Sequence, residues 1–333
     1  MRRLIGWGSL LLTCFAGVAQ AGTVTLYSAL EEDEIAAYVA AAKKSLPDIE
    51  LKVLRLSTGD LGARILAEAA NPQHDIIWGW AVTNMLDPRI TALLTPYAAK
   101  GSETLPAQYR ASDNGWFAAT GYMAAFCVNT EVLKAKKLPM PTSWADLTNP
   151  VYKGDVVMPN PVSSGTGYLQ IAALLQKNGT EAGWSFLRTL DANVAQYIKS
   201  GSRPCKAARQ GEFAIGTSLA FAAMQSIEEG FPIKMVIPTD GAGYELEASA
   251  LMKAAKNPTD AKRFLDWTLS AEAAKLYTKY KEIVTIPGTP QSEIAKKAGL
   301  PADLAQILYP VDFVRSAADR EQILKTWQSA IGR

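Results

Sequence analysis

The amino-acid sequence predicts an α/β fold of two lobes, each a central, mostly parallel sheet flanked by helices, with a ligand cleft between them. Three observations carry this expectation. Short β-rich runs alternate with helical periods from residue 23 to residue 79, the pattern of parallel strands joined by right-handed crossovers. Two longer apolar stretches, near residues 116–128 and 247–252, read as strands able to cross from one lobe to the other. The chain has 333 residues, 48% of them hydrophobic, which exceeds a single-core domain and carries enough apolar surface for two cores.

The elements follow in order. Arg2 and Arg3 precede an apolar run over residues 4–18, and Ala19-Gln20-Ala21 is a small-x-small cleavage pattern. A signal peptide over residues 1–21 is therefore expected, with a mature chain starting at Gly22. Leu11-Leu12-Thr13-Cys14 has a faint likeness to a lipoprotein signal, but Thr13 fits it poorly and apolar residues continue past Cys14. No later run reaches the roughly 20 apolar residues of a membrane span, so an exported, soluble product is expected.

Residues 23–28 alternate as a first strand, 31–44 keep helical spacing with acids at the start, and 51–55 form a second strand. Ser57-Thr58-Gly59-Asp60 interrupts the pattern before a helix over 61–70 and a strand over 75–79. Residues 116–119 and 122–128 read as the crossing strands, followed by a Pro-rich turn over 138–144. Later strands are expected at 155–158, 194–198, 213–216 and 247–252, with a helix after Gly167. Residues 258–270 and 271–280 read as helices, the first opened by the favoured pair Asn257-Pro258, and 301–333 adds more helix. The expected division places 22–125 with 248–285 in the first lobe and 126–247 in the second. Residues 286–333 would pack near the hinge or against the second lobe.

Charge narrows the function classes. There are 34 Lys and Arg against 32 Asp and Glu, and the signal peptide would remove two arginines and no acid. A neutral mature chain without a dense basic cluster has no electrostatic footprint for nucleic acid or an anionic membrane. Cys127 and Cys205 would remain in an oxidising compartment, either as one disulfide or as two buried thiols.

The most informative motif is Ser163-Ser164-Gly165-Thr166-Gly167, between a short buried strand and a helix. A helix's first turn leaves N–H groups unpaired at the positive end of its dipole, glycines admit close approach, and hydroxyls add donors without charge. The same features suit an ordinary helix cap. Ser57-Thr58-Gly59-Asp60-Leu61-Gly62 repeats the pattern in the other lobe, so two neutral donor sets can converge on one anion if both turns open to the cleft. Tyr244-Glu245-Leu246-Glu247 offers an aromatic face and two carboxylates on one side of a strand, suited to an ammonium group, although solvated acids would read the same way. Trp78 and Trp80 end a strand and either line the cleft or pack as core, while Thr217 and Ser218 end another strand as further donors or as caps.

Catalytic readings are weak. His74 is the only histidine and its neighbour Asp75 would point away from it on an extended chain. Gly216-Thr217-Ser218-Leu219-Ala220 lacks the last glycine of a nucleophile elbow, and no His/Cys/Asp spacing fits zinc. No enzyme, metal or cofactor is expected.

The opening Val24-Thr25-Leu26-Tyr27-Ser28-Ala29 and the segment His74-Asp75-Ile76-Ile77-Trp78-Gly79 resemble the type II periplasmic solute-binding proteins of ABC importers, in the branch that includes ferric-iron binders. The likeness extends over essentially the whole mature chain. Four segments are similar to the 2-aminoethylphosphonate-binding components: Leu56-Ser57-Thr58-Gly59, Ser200-Gly201-Ser202-Arg203-Pro204-Cys205, Gly211-Glu212-Phe213-Ala214-Ile215-Gly216 and Gly241-Ala242-Gly243-Tyr244-Glu245-Leu246-Glu247-Ala248. The adjacent tyrosines of the iron binders are replaced by Thr217-Ser218-Leu219-Ala220-Phe221-Ala222, which favours an organic ligand. Ala220 and Phe221 also depart from the charged and aromatic residues found there in the phosphonate relatives.

The resemblance implies the two-lobed type II periplasmic-binding-protein fold, a periplasmic monomer, capture of 2-aminoethylphosphonate and delivery to the transmembrane subunits of an ABC permease. Ser57, Thr58, Ser163, Ser164 and Thr166 are expected to hold the phosphonate, and Glu245 or Glu247 with Tyr244 the amine. Tyr27, Ser28, Trp78, Thr217 and Ser218 complete the expected contacts. The alternatives are a ferric-iron, polyamine or thiamine carrier of the same fold and, third, an exported hydrolase dependent on His74.

Overall fold

The computed structural model describes residues 22–332, so the expected signal peptide, with Cys14, lies outside the described residues. Eleven strands form one curled sheet: β1 (Gly22–Ser28), β2 (Ile49–Arg55), β3 (Ile76–Ala81), β4 (Leu94–Thr95), β5 (Phe117–Asn129), β6 (Val156–Pro159), β7 (Val194–Ile198), β8 (Ile215–Leu219), β9 (Ile233–Val236), β10 (Tyr244–Met252) and β11 (Ile283–Val284). Their order along the main path is β2-β1-β3-β10-β5-β8-β6-β7, with β4 on β10 and both β9 and β11 on β5. Each end of this path is parallel, β2-β1-β3 in one lobe and β8-β6-β7 in the other. Antiparallel β10 and β5 join the two. The architecture is the α/β, two-lobed, type II periplasmic-binding-protein fold.

The apolar pattern explains where the two cores sit. In the first lobe Tyr38, Trp78, Phe264 and Tyr277 pack around the aliphatic faces of β1 and β3, with Trp78 edge-on to Phe264 at 5.2 Å. In the second, Phe126 and Trp144 meet edge-on at 4.7 Å among residues of β6 and of the helix Gly165–Asn178. All thirteen residues of β5 are buried, because both faces of this strand are covered where the lobes join.

Several element bounds differ from the sequence expectation. Residues 116–119 and 122–128 are one uninterrupted strand, since Gly121 stays in register with Leu246 of β10. The return strand starts at Tyr244 instead of 247, so the Tyr244-Glu245-Leu246-Glu247 motif lies within it. Residues 301–333 are not helical throughout: Pro301 and Pro310 bracket irregular chain with one short turn, Leu304–Gln306, and the long helix is Phe313–Ala330. That helix packs on Val82–Met85 of the first lobe and on Gly165–Asn178 of the second. Cys127 on β5 and Cys205 on the helix Arg203–Arg209 are joined by a disulfide, with Cα atoms 5.2 Å apart. No helix among the described residues is long and apolar enough to cross a membrane.

Candidate functional site

Two helices start face to face across the cleft. The helix Thr58–Ala67 opens after β2, and Ser57 at its N-cap makes no side-chain cap hydrogen bond. The helix Gly165–Asn178 opens after β6, with Ser164 Oγ accepting from Gly167 N–H at 3.2 Å. Gly59 N–H donates across the gap to Ser163 O at 2.9 Å. This approach depends on glycine: a Cβ at Gly59 would lie 2.0 Å from Val162 O, and one at Gly165 would lie 2.6 Å from Thr58 Oγ1. Trp80 Nε1 donates to Thr58 O at 3.0 Å and so fixes the start of the first helix from below.

Both helix starts line one cavity of about 40 Å³. By this measure one water needs about 10–15 Å³, so the space admits a compact group only. Ser57 and Thr58 line it from the first lobe, and Ser164, Gly165, Thr166 and Gly201 from the second. Arg55, Glu31, Tyr122, Glu247 and Lys281 complete its polar wall. The lobes also meet at the rim, through Ser202 Oγ to Glu31 Oε2 at 3.0 Å, Gln225 Nε2 to Asp33 Oδ2 at 2.9 Å and an ion pair of Lys199 with Asp60 at 2.7 Å.

Charge at the cavity floor is arranged around Lys281. Its Nζ lies 2.7 Å from Glu247 Oε1 and 2.9 Å from Glu34 Oε2, and all three residues are buried. Thr120 Oγ1 donates to the other Glu247 oxygen at 2.6 Å, whereas neither oxygen of Glu34 completes a well-directed hydrogen bond. Burial drives Glu34 well above the ordinary carboxylate value, against the pull of Lys281. Burial would lower the Lys281 ammonium, but the two neighbouring carboxyl groups hold it above the usual lysine value. Burial also raises Tyr122 well above the usual phenol value, keeping it a neutral donor. Arg55 donates from Nε to Leu30 O at 3.0 Å and lies 3.4 Å from Glu31 Oε1.

The structure therefore brings together Ser57, Thr58, Ser164, Thr166 and Glu247 at one cavity. The other residues singled out in the sequence lie outside its lining. Ser163 Oγ donates to Lys199 O at 2.9 Å, and its carbonyl makes the contact with Gly59. Tyr27 donates to Glu68 Oε2 at 2.8 Å and Ser28 Oγ accepts from Leu30 N–H at 3.2 Å. Trp78 is core. Thr217 Oγ1 donates to Gln170 Oε1, and Ser218 Oγ donates to Gly201 O at 2.7 Å, so these two brace the wall from behind. Glu245 accepts from Thr83 Oγ1 and from Leu246 N–H, and Tyr244 packs edge-on to Phe313 at 5.1 Å.

Arg55, Tyr122 and Lys281 are cavity residues that the sequence reading passed over. Arg55 had a usable signal, since it ends a parallel strand directly before Ser57-Thr58, where ligands of α/β sheets bind. Tyr122 and Lys281 had none. One reads as an ordinary strand residue and the other as part of an exposed run, Lys279-Tyr280-Lys281-Glu282.

His74 stacks on Tyr27 with ring centroids 4.0 Å apart, and burial lowers it to about 4 against Glu68 and Asp75. Asp75 accepts from the N–H groups of Thr25, Lys256 and Asn257, all backbone contacts. The pair braces chain segments and activates no hydroxyl.

The profile of bacterial extracellular solute-binding proteins matches residues 89–308. An uncharacterized Haemophilus influenzae protein is 32% identical over 285 residues, 84% of this chain and 82% of its own length. A Sinorhizobium fredii protein described as a probable ABC transporter periplasmic-binding protein is 28% identical over 81% of this chain and 76% of its own. Among solved structures, the periplasmic binding protein AfuA of Actinobacillus pleuropneumoniae, with exogenous fructose-6-phosphate bound, has a TM-score of 0.86 at 28% identity, covering 93% of this chain and 99% of that one.

More distant likenesses include two Salmonella typhimurium proteins. A phosphoglycerate transport regulatory protein is 32% identical over 33% of this chain and 30% of its own, and a spermidine/putrescine-binding periplasmic protein is 26% identical over 62% and 57%. Iron-bound HitA of Pseudomonas aeruginosa shares the fold, with a TM-score of 0.76 at 18% identity over 91% of this chain and 98% of that one.

Fold, cleft and profile together define a non-catalytic, ligand-capturing class: the chain belongs to the bacterial extracellular solute-binding proteins. Within that class it is the periplasmic solute-binding component of an ABC import system, structurally close to the ferric-iron-binding members.

Proposed function

We propose that this solute-binding protein captures a compact organic phosphonate or phosphate, with 2-aminoethylphosphonate the first candidate, and passes it to the ABC permease. The observation that carries the reading is the convergence of two hydroxyl-bearing helix starts, Ser57-Thr58 and Ser164-Gly165-Thr166, on one cavity. A tetrahedral anion entering it exchanges its water shell for hydroxyls, first-turn N–H groups and the Arg55 cation. The fructose-6-phosphate bound to AfuA and the phosphoglycerate in the name of the Salmonella relative support a phosphoryl-bearing solute. The amine end is assigned to Glu31 and Glu247, which line the cavity, in preference to Glu245 and Tyr244, which do not.

A carrier of polyamine, thiamine or ferric iron is the second reading. Carboxylates in the cavity wall favour a cation, and relatives or structures described for spermidine and putrescine, thiamin and iron share part of the sequence or the fold. Calorimetry with 2-aminoethylphosphonate, inorganic phosphate, spermidine, thiamine and Fe(III) separates the two. The phosphonate should give the tightest isotherm, weakened about tenfold or more by Ser57→Ala or Thr166→Ala through loss of a hydrogen bond to a charged group. Silence with both phosphorus compounds alongside tight binding of a cation would replace the first reading with the second.

A further inference from the structure

Lys281 also borders a second cavity, of about 430 Å³, between the strand β11 and the chain segment 289–310. Its size falls within the range of small-molecule sites, about 300–1,000 Å³. The polar lining is one-sided in charge. Glu282 and Asp303 are its acids, and Lys281, its only cation, spends its ammonium on Glu247 and Glu34. Glu282 is 8% exposed; its Oε1 accepts from Met123 N–H at 2.7 Å, while Oε2 is buried without a hydrogen-bond partner. A buried carboxylate oxygen in that condition is costly unless a donor completes it. Two phenol rings, Tyr109 and Tyr244, border the same space.

We infer that this cavity is a second binding site, for a small organic ammonium ion held by the acids Glu282 and Asp303 and by the rings of Tyr109 and Tyr244. The carboxylate acceptors and the aromatic rings of the lining both favour a cation over an anion. No residue of the two helix starts that line the cleft cavity borders this one. The assignment therefore rests on residues other than the cleft hydroxyls, with Lys281 shared by the two walls. It also gives a role to Tyr244, which the sequence marks beside two acids and the fold turns away from the cleft.

The test is calorimetric titration of the whole chain with ethanolammonium chloride at fixed ionic strength. It is run at about pH 8, above the value of about 7 to which burial raises Glu282 against the Met123 N–H and nearby Lys281. A one-site isotherm is expected, weakened about tenfold or more by Glu282→Gln, as for loss of a charge-assisted bond. Tyr109→Leu, at a partly exposed position, should weaken it too and serves if the Glu282 variant does not fold. The double variant Ser57→Ala/Thr166→Ala should leave it unchanged. Absence of heat at millimolar ethanolammonium, or loss of the isotherm in the cleft variant alone, would overturn the assignment. Neither outcome depends on the phosphonate titration, which is read separately in the cleft.

Discussion

At the scale of single residues, burial changes what a charged side chain can do. Glu245 and Glu247 stand two positions apart on β10, yet Glu247 is neutralised by Lys281 whereas Glu245 has only hydroxyl and amide donors. Burial consequently raises Glu245 to about 7 from 4.5. Below 4.5 it is protonated in both the folded and the unfolded chain. Between 4.5 and 7 the folded state retains a proton that the unfolded state has released, so stability falls as pH rises through this window, by roughly 3 kcal/mol in all. His74 has the opposite slope. Its value drops to about 4 from 6.5, so its contribution is complete above 6.5 and is lost as pH falls toward 4. Replacing Glu245 by Gln should raise the melting temperature above pH 7 and leave it nearly unchanged near pH 4.5; an offset constant with pH would contradict this. None of it is legible in the motif Tyr244-Glu245-Leu246-Glu247, because partners such as Thr83 and Lys281 come from distant parts of the chain.

At the scale of elements, the two helix starts were the most legible part of the site. Ser, Thr and Gly before an apolar period mark a helix N-terminus locally, and a local signal survives in one sequence. Their facing arrangement depends on Gly59, whose Cβ would strike Val162 O, and that contact joins positions about a hundred residues apart. Gly59→Ala should hold the lobes apart and weaken cleft binding about tenfold or more, equivalent to 1.4 kcal/mol. In the unliganded protein the same change should be neutral or stabilising by up to about 1 kcal/mol, because alanine is the better helix former. Calorimetry and thermal melting of the same variant check both halves; unchanged affinity would show that the cleft does not need this approach.

For the whole molecule, a ligand held between the lobes is expected to favour the arrangement in which the two helix starts face each other. Contacts at the rim, such as Lys199 with Asp60 and Gln225 with Asp33, are exposed and individually weak. A ligand that bridges the lobes would add to these contacts. With 2-aminoethylphosphonate at a hundredfold excess over Kd, the folded state should gain about 2.7 kcal/mol. A rise in melting temperature measures this gain, and no rise would mean that the solute does not bind the folded chain. The helix Phe313–Ala330, which touches both lobes, is part of the same mechanics, and its position across them was not evident from an amphipathic period alone.

The sequence by itself determined the two-lobed α/β class, the alternation of its main strands with helices and the hydroxyl-rich helix starts, because alternation, capping and chain length are properties of neighbouring residues. Only the tertiary structure decided which of those side chains share a cavity. It set Glu247 against Lys281, brought Arg55 and Tyr122 into the wall, and turned Tyr244 toward a second space. Those outcomes depend on the register of β10 against β5, whose paired residues lie more than a hundred positions apart, and on an ion pair that brings Lys281 to Glu247 from a different part of the fold.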